Sequence, residues 1–418
     1  MTGSDVHRTI NAIWRIESPR LIAGLTRIVR DVGLAEELAQ DALVAALEQW
    51  PESSVPDNPG AWLMATAKHH TINRLNRNKL VERKHAELGH ETDAVVTPDL
   101  DAALDDDIGD DLLRLVFTAC HLVLSTEARV ALTLRLLGGL TTEEIARAFL
   151  AQESTIAQRI VRAKRTLAEE RVPFEVPRGA ELGRRLASVL EVIYLVFNEG
   201  YSATAGDDLM RPALCDDALR LGRILAQLAP NEPEVHGLVA LMEIQASRTA
   251  ARTGPSGEPI PLLEQNRARW DRLLIQRGLA ALERAEALDG ARGPYALQAA
   301  IVACHARARA PDETDWPRIA SLYEVMAKVT PSPIVELNRA VTVGMAFGPA
   351  AGLRIVDALA AERSLASYHP LPAVRGDLLE KLGRLDEARQ ELVRAASLTR
   401  NARERDVLLE RASACVRG

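Results

Sequence analysis

Residues 140–167, LTTEEIARAFLAQESTIAQRIVRAKRTL, constrain this chain more than any other stretch. Their spacing predicts two helices joined by a tight turn. Thr141 and Glu144 stand three apart, as a capping box requires at the start of the first helix. In the second helix Ile156, Ile160, Ala163 and Leu167 share one face at helical period. Thr155, Gln158, Arg159, Arg162 and Arg165 share the other. A helix-turn-helix needs this division, with an apolar back to anchor it and a basic, hydrogen-bonding front for the major groove. An ordinary helical hairpin with a solvated face has the same pattern, so the rest of the chain must decide between them.

The chain has 418 residues, which predicts two or three domains rather than one. It is rich in Ala, Leu, Arg and Glu, with only 4% aromatic residues. That balance favours an all-α protein with small side chains at helix contacts. The formal charge of −7 argues against a uniformly basic nucleic-acid coat but leaves room for a local basic patch. Cys120, Cys215, Cys304 and Cys415 are scattered and form no CxxC pair, so neither a zinc knuckle nor a disulfide framework is expected. The N-terminus has no apolar signal core and no run approaches a membrane span, which fits a reducing cytoplasm and no membrane partner.

Residues 8–50 read as helices, with Leu34, Leu38, Ala42 and Ala45 forming an apolar stripe. Glu37, Asp41, Val44 and Glu48 form an adjoining, mostly acidic one. PESSVPDNPG (51–60) is expected to break the helix with three prolines and a glycine. A helix then starts near Ala61 and turns basic at Lys68, Arg74 and Arg77. Residues 91–111 carry nine acidic residues and no Lys or Arg, so they read as a self-repelling linker. A compact helical unit, 112–172, follows, and VPFEVPRG (172–179) is a second break. From 180 onward the chain reads as helical hairpins. Near its end Gly376, Leu379, Gly383, Leu385, Ala388, Leu392 and Ala395 sit where a tetratricopeptide unit wants small and apolar residues. Residues 334–360 read as a degenerate unit of the same kind.

The helix at 34–50, the break and the basic helix at 61–79 together resemble region 2 of bacterial sigma factors. The helix-turn-helix resembles their region 4. The short form with only these two regions is similar to extracytoplasmic-function (ECF) sigma factors. VIYLVFNEGYSAT (192–204), the stretch 214–242 and GPYALQAAIVACHA (293–306) resemble the C-terminal extension of an ECF subgroup with a tetratricopeptide-like domain. The fold implied is all-α: region 2 over 1–90, the acidic linker over 91–111, region 4 over 112–172, and an α-solenoid over 180–418.

The resemblance also implies roles. Glu37, Gln40, Asp41, Val44 and Glu48 match the surface that docks on the β′ clamp helices of core RNA polymerase, with the β flap as a further partner. Asp57, Asn58, Lys68, His69, Asn73, Arg74 and Arg77 match the element that reads the minus-ten sequence and captures a flipped base. His69 and Asn73 depart from the usual Asn and Asp. Thr155, Gln158, Arg159 and Arg162 are placed for the minus-35 groove, where Arg and Gln pair with guanine and adenine edges. Arg165 is placed for a phosphate. Leu150 holds a turn position where relatives have Gly. Trp50 and Trp62 read as core residues. The acidic linker would run through the polymerase's active-site and RNA-exit path.

No HExxH, GxSxG or phosphate loop is present, so no catalytic residue, cofactor or metal site is expected. Adjacent His69 and His70 point to different sides of a helix and make a poor metal pair. Two rival classes remain on sequence grounds: a promoter-binding activator with a sensing repeat domain, and a helical scaffold. Control in cis by the extension is expected, and the sequence leaves open whether a separate anti-sigma factor exists.

Overall fold

The computed structural model describes residues 3–86, 108–149, 151–202, 210–255, 258–399 and 401–415. The acidic stretch 91–107 and Leu150 therefore lie outside the described residues, as do the side chains of Asn73, Arg74 and Arg77. Eighteen α-helices and short 3-10 turns make up the described architecture, without a strand; isolated bridge residues occur at Thr253 with Pro259 and at Asn401. Two compact units are present, Met1–Val192 and Ile193–Gly418.

The first unit opens with α1 (Gly3–Val29), α2 (Val32–Ser53) and α3 (Pro59–Ala86), which pack mutually. Asp31 caps α2 by accepting from the Leu34 N–H at 2.9 Å. The helix does not stop at residue 50, as its prolines suggest, but runs through Pro51 to Ser53. Pro51 sits in the last turn, where the chain is about to leave the helix, and Ser54 ends it with a positive φ of 75°. Leu38, Ala42 and Ala45 are buried as expected, joined by Ala35, Ala39, Ala46 and Trp50, whereas Leu34 is only half-buried.

Next come α4 (Ile108–Ala119), α5 (Thr126–Leu136), α6 (Thr142–Ala148) and α7 (Glu153–Glu169). The start of α4 lies inside the expected linker. Asp111 there is not a solvated repelling charge: it is buried, 3.1 Å from Arg27 Nε of α1 and 2.6 Å from Arg114 Nη1. Opposite charges within reach convert the end of an acidic run into a helix start. Thr141 and Glu144 form the reciprocal capping box: the Thr141 N–H donates to Glu144 Oε2 at 2.8 Å, and the Glu144 N–H to Thr141 Oγ1 at 3.1 Å. Just before it, Gly139 has φ +69°, and a Cβ there would sit 3.2 Å from Arg15 Cα. Only glycine suits that backbone and that approach.

The helix α8 (Ala180–Tyr201) contains the division between the units. Its first half belongs to the first unit. Arg185 Nη2 donates to the Phe117 carbonyl at 2.9 Å, and Ser188 Oγ to the Cys120 carbonyl at 2.8 Å. Arg129 donates in turn to Ser188 and to Glu191. Leu186, Val189 and Leu190 are buried.

The second unit continues with α9 (Pro212–Leu228), α10 (Pro233–Ala246), α11 (Arg272–Ala287), α12 (Pro294–Arg307) and α13 (Trp316–Val329). It ends with α14 (Pro333–Phe347), α15 (Pro349–Leu359), α16 (Pro370–Lys381), α17 (Leu385–Leu398) and α18 (Ala402–Ala414). Consecutive helices pair from α13 to α18. Small residues set the closeness of these pairs. A Cβ on Gly352 of α15 would meet the Ala340 carbonyl oxygen of α14 at 2.6 Å, and one on Gly376 of α16 would meet Leu392 of α17 at 2.9 Å. Gly376 is one of the expected repeat positions; of the others, Leu379, Ala388, Leu392 and Ala395 are fully buried, Leu385 is half-buried and Gly383 is exposed.

Candidate nucleic-acid interface

On α7 the helical period settles which side chains can meet a ligand. Ile156, Ile160, Ala163 and Leu167 are buried. Thr155, Gln158, Arg162 and Arg165 are exposed and Arg159 is half-exposed. Thr155, Gln158, Arg159 and Arg162 line one open groove of about 380 Å³, walled on the other side by Val123, Ser125 and Ala128. Four side chains able to read base edges or phosphates thus face one concavity. Arg165 lies outside it and pairs with Glu169 at 2.6 Å, an exposed (i, i+4) contact that raises the Arg165 pKa through its hydrogen bond. Such an exposed pair contributes little to stability.

On α2 the stripe Glu37, Asp41, Val44 and Glu48 is exposed along one side, with Val44 52% accessible. The stripe thus sets one aliphatic side chain among three carboxylates in solvent. Gln40 is half-buried and donates to Glu36 Oε1 at 2.7 Å.

Asp57 and Asn58 are exposed in the loop before α3. Asn58 carries a second duty: its Oδ1 accepts the Ala61 N–H at 3.1 Å, which caps α3. The capping bond uses one lone pair of that oxygen and leaves the amide nitrogen's two donors free of it. Lys68 is half-buried and His69 exposed on α3, and Asn73, Arg74 and Arg77 follow on the same helix. The His69 and His70 rings stand 6.3 Å apart at 88°. No group of metal-binding side chains occurs among the described residues. Trp50 is buried, and Trp62 packs edge-on against it at 5.3 Å while keeping partial exposure.

The sequence reading missed a contact that joins these surfaces. Glu36, one residue from the acidic stripe, is 3% exposed. It meets Arg135 Nε of α5 at 2.6 Å and the Lys164 ammonium of α7. Arg15 of α1 reaches Glu144 Oε1 of the capping box at 2.5 Å. The helix carrying the acidic stripe and the helix carrying the groove therefore share a buried ionic centre. An open cleft of about 630 Å³ lies beside it, between α1, α2 and the end of α5 with the start of α6, lined by Arg15, Gln40, Val44, Arg135 and Glu144, among others. The signal available in the sequence was the phase of Glu36: it stands four residues after Val32 and three before Ala39, both buried on α2.

Comparison with known proteins agrees with this geometry. Residues 13–81 match sigma-70 region 2, and residues 114–167 match sigma-70 region 4. Residues 185–286 match a family of unknown function, DUF6596. The ECF RNA polymerase sigma factor SigK of Mycobacterium bovis (strain BCG / Pasteur 1173P2) is 31% identical over 152 residues, 35% of this chain and 78% of SigK. The probable ECF RNA polymerase sigma factor SigI of Mycobacterium tuberculosis (strain CDC 1551 / Oshkosh) is 28% identical over 175 residues, 41% of this chain and 58% of SigI. An uncharacterized protein of Rhizobium meliloti (strain 1021) is 41% identical over 391 residues, 92% of this chain and 91% of its own length. No solved structure matches. The chain belongs to the ECF sigma factors of the sigma-70 family, and it carries a helical C-terminal extension of the DUF6596 kind. Sigma factors bind core RNA polymerase and promoter DNA and are not enzymes. Among the described residues no helix is long and apolar enough to cross a membrane.

Proposed function

We propose that α2 docks on the β′ clamp helices of core polymerase through Glu37, Gln40, Asp41, Val44 and Glu48. The loop 51–60 and α3 then hold the opened minus-ten strand through Asp57, Asn58, Lys68, His69, Asn73, Arg74 and Arg77. Thr155, Gln158, Arg159 and Arg162 of α7 read the minus-35 groove, Arg165 holds a phosphate, and region 4 meets the β flap. The acidic stretch 91–107 follows the RNA-exit path, and the factor works in the cytoplasm.

The observation that carries this reading is the pairing of two surfaces. One helix presents carboxylates around an exposed valine, and another presents Thr, Gln and two Arg in one groove, each backed by buried apolar residues. A mixed acidic and apolar face suits a basic coiled coil, and a polar, cationic groove suits a duplex.

The extension regulates transcription in cis and is needed for full activity. Supporting this, the segment of the DUF6596 kind begins at residue 185, and Arg185 and Ser188 are already bonded to the carbonyls of Phe117 and Cys120 in the region 4 half of the first unit. The helix that opens the extension is thus also part of the DNA-reading module.

The test replaces Glu37, Asp41 and Glu48 together with Lys in the full chain. Pull-down on core polymerase should fail while circular dichroism stays native. Wild-type retention of polymerase by the folded triple variant would overturn the docking assignment.

A further inference from the structure

In the second unit, three guanidinium groups gather on two aromatic rings. Arg252 Cζ lies 3.6 Å from the centre of the Tyr201 ring. Arg248 Cζ lies 5.8 Å from both the Tyr201 and Trp270 rings, and Arg267 Cζ 4.9 Å from the Trp270 ring. Their hydrogen bonds go to neutral acceptors. Arg248 donates to Tyr201 Oη at 2.7 Å and Gln245 Oε1 at 2.8 Å, and Arg252 to the Tyr201 carbonyl. Arg267 donates to the carbonyls of His305 at 2.6 Å and Ala308 at 2.7 Å, and reaches Thr314 Oγ1 at 3.4 Å.

Among the described residues no carboxylate pairs with any of the three. Glu404 acts on Arg252 only at a distance and is itself engaged by His369 at 3.3 Å and Thr399 at 2.9 Å. Asp312 and Glu313 act on Arg267 in the same remote way. Burial holds the pKa values of Arg252 and Arg267 below the ordinary arginine range, with Arg248 adding to it in both. Uncompensated charge of this kind is costly unless something neutralises it.

Buried polar atoms without partners lie in the same cluster. Arg267, Trp270 and His305 are 7%, 4% and 8% exposed, yet Arg267 Nε, Trp270 Nε1 and His305 Nδ1 each lack a hydrogen bond in the structure. Buried polar groups without a partner call for an explanation, an ordered water or a bound ion among them. Arg248, Arg252 and Tyr201, by contrast, remain partly exposed, so the cluster has an open side.

We infer that the C-terminal unit binds a small phosphate-bearing anion, clamped at the open side by Arg248 and Arg252 over Tyr201, with Arg267, Trp270 and His305 beneath. Forked guanidinium donors match phosphate oxygens in geometry. Three cations without a paired carboxylate favour a multiply charged oxyanion over a monovalent carboxylate. This goes beyond promoter recognition, because it gives the extension a ligand of its own.

Inorganic pyrophosphate is the probe, added to the full-length protein against potassium chloride of equal ionic strength. A saturable rise in melting temperature and a saturable change in tryptophan fluorescence are expected, the latter reduced in Trp270→Phe. Arg248→Gln/Arg252→Gln should weaken binding at least tenfold while its circular dichroism stays native. Arg248→Lys, which keeps the charge and loses the fork, should fall between and serves if the double variant does not fold. Arg354→Gln, on α15, should bind as wild type. No saturable effect beyond the salt control would overturn the inference. So would undiminished binding in the double variant and in Arg248→Lys, the result of an adventitious ion only. Pyrophosphate binding that appears only in Asp207→Asn/Asp208→Asn would also overturn it, by showing that the chain's own carboxylates fill the cluster. These readouts need no polymerase or DNA, so their failure is distinct from failure of the promoter reading.

Discussion

Glu36→Gln is the most informative single change in the first unit. The substitution keeps shape and removes only charge. The carboxylate is 3% exposed and faces two cations, Arg135 Nε at 2.6 Å and the Lys164 ammonium, whose side chains keep 24% and 20% exposure. Breaking a fully buried ion pair by removing one partner costs ~3–5 kcal/mol. Here both cations can recover some water, which lowers the expected cost to about 2–3 kcal/mol. At roughly 2–4 °C per kcal/mol for a unit of this size, the melting temperature of the first unit should fall by roughly 4–12 °C. Since Glu36 is on α2 and Lys164 on α7, amide exchange should rise in α7 as well as near residue 36. Lys164→Met in a double-mutant cycle supplies the specificity control: the two changes should be non-additive by ~1 kcal/mol or more. A fall under about 1 °C, or strict additivity with Lys164→Met, would refute the claim that this carboxylate holds the two helices together.

Other outcomes follow from the same geometry. Arg159→Ala should cost ~1–3 kcal/mol at one minus-35 position and relax preference there; a promoter-variant library bound by holoenzyme checks it, and unchanged preference would refute base reading. His305 is buried beside Arg248 and Arg267, and burial first, then those charges, lowers its pKa from 6.5 to about 4. The unfolded chain therefore takes up a proton that the folded one refuses: this stability is fully present above pH 6.5 and is lost as pH falls toward 4, by ~3 kcal/mol in all. Urea melts of wild type and His305→Asn between pH 7 and 4 should show that slope only in wild type. A 1–172 fragment lacks Leu186, Val189 and Leu190, which are buried in the first unit, so it should be roughly 5 kcal/mol less stable than a 1–202 fragment by denaturant melts. If the 1–202 fragment, folded and saturating core polymerase, transcribes a promoter as well as the full chain, the extension is not needed for activity.

Local pattern alone determined a good part of this protein. The capping box of Thr141 and Glu144, the buried face of α7 and the exposed stripe of α2 all follow from helical period, because side chains three and four residues apart share a face. Small residues at fixed spacing likewise announced the close helix pairs around Gly376 and Leu392. What local pattern could not carry was any pairing between distant segments. Asp111 belonged to an acidic run until Arg27 was placed beside it, 84 positions earlier in the chain. That Asn58 also caps α3 through its oxygen was visible only once the helix start was placed. Nothing local pairs Glu36 with a cation, whereas folding buries it between Arg135 and Lys164. Arg248, Arg252 and Arg267 are ordinary basic residues in the sequence, and only the packing of the second unit gathers them on Tyr201 and Trp270. The physical reason is the same in each case. Period and capping act within a few residues, but the energy of a charge depends on which opposite charges, ring faces and solvent surround it, and tertiary structure alone decides those.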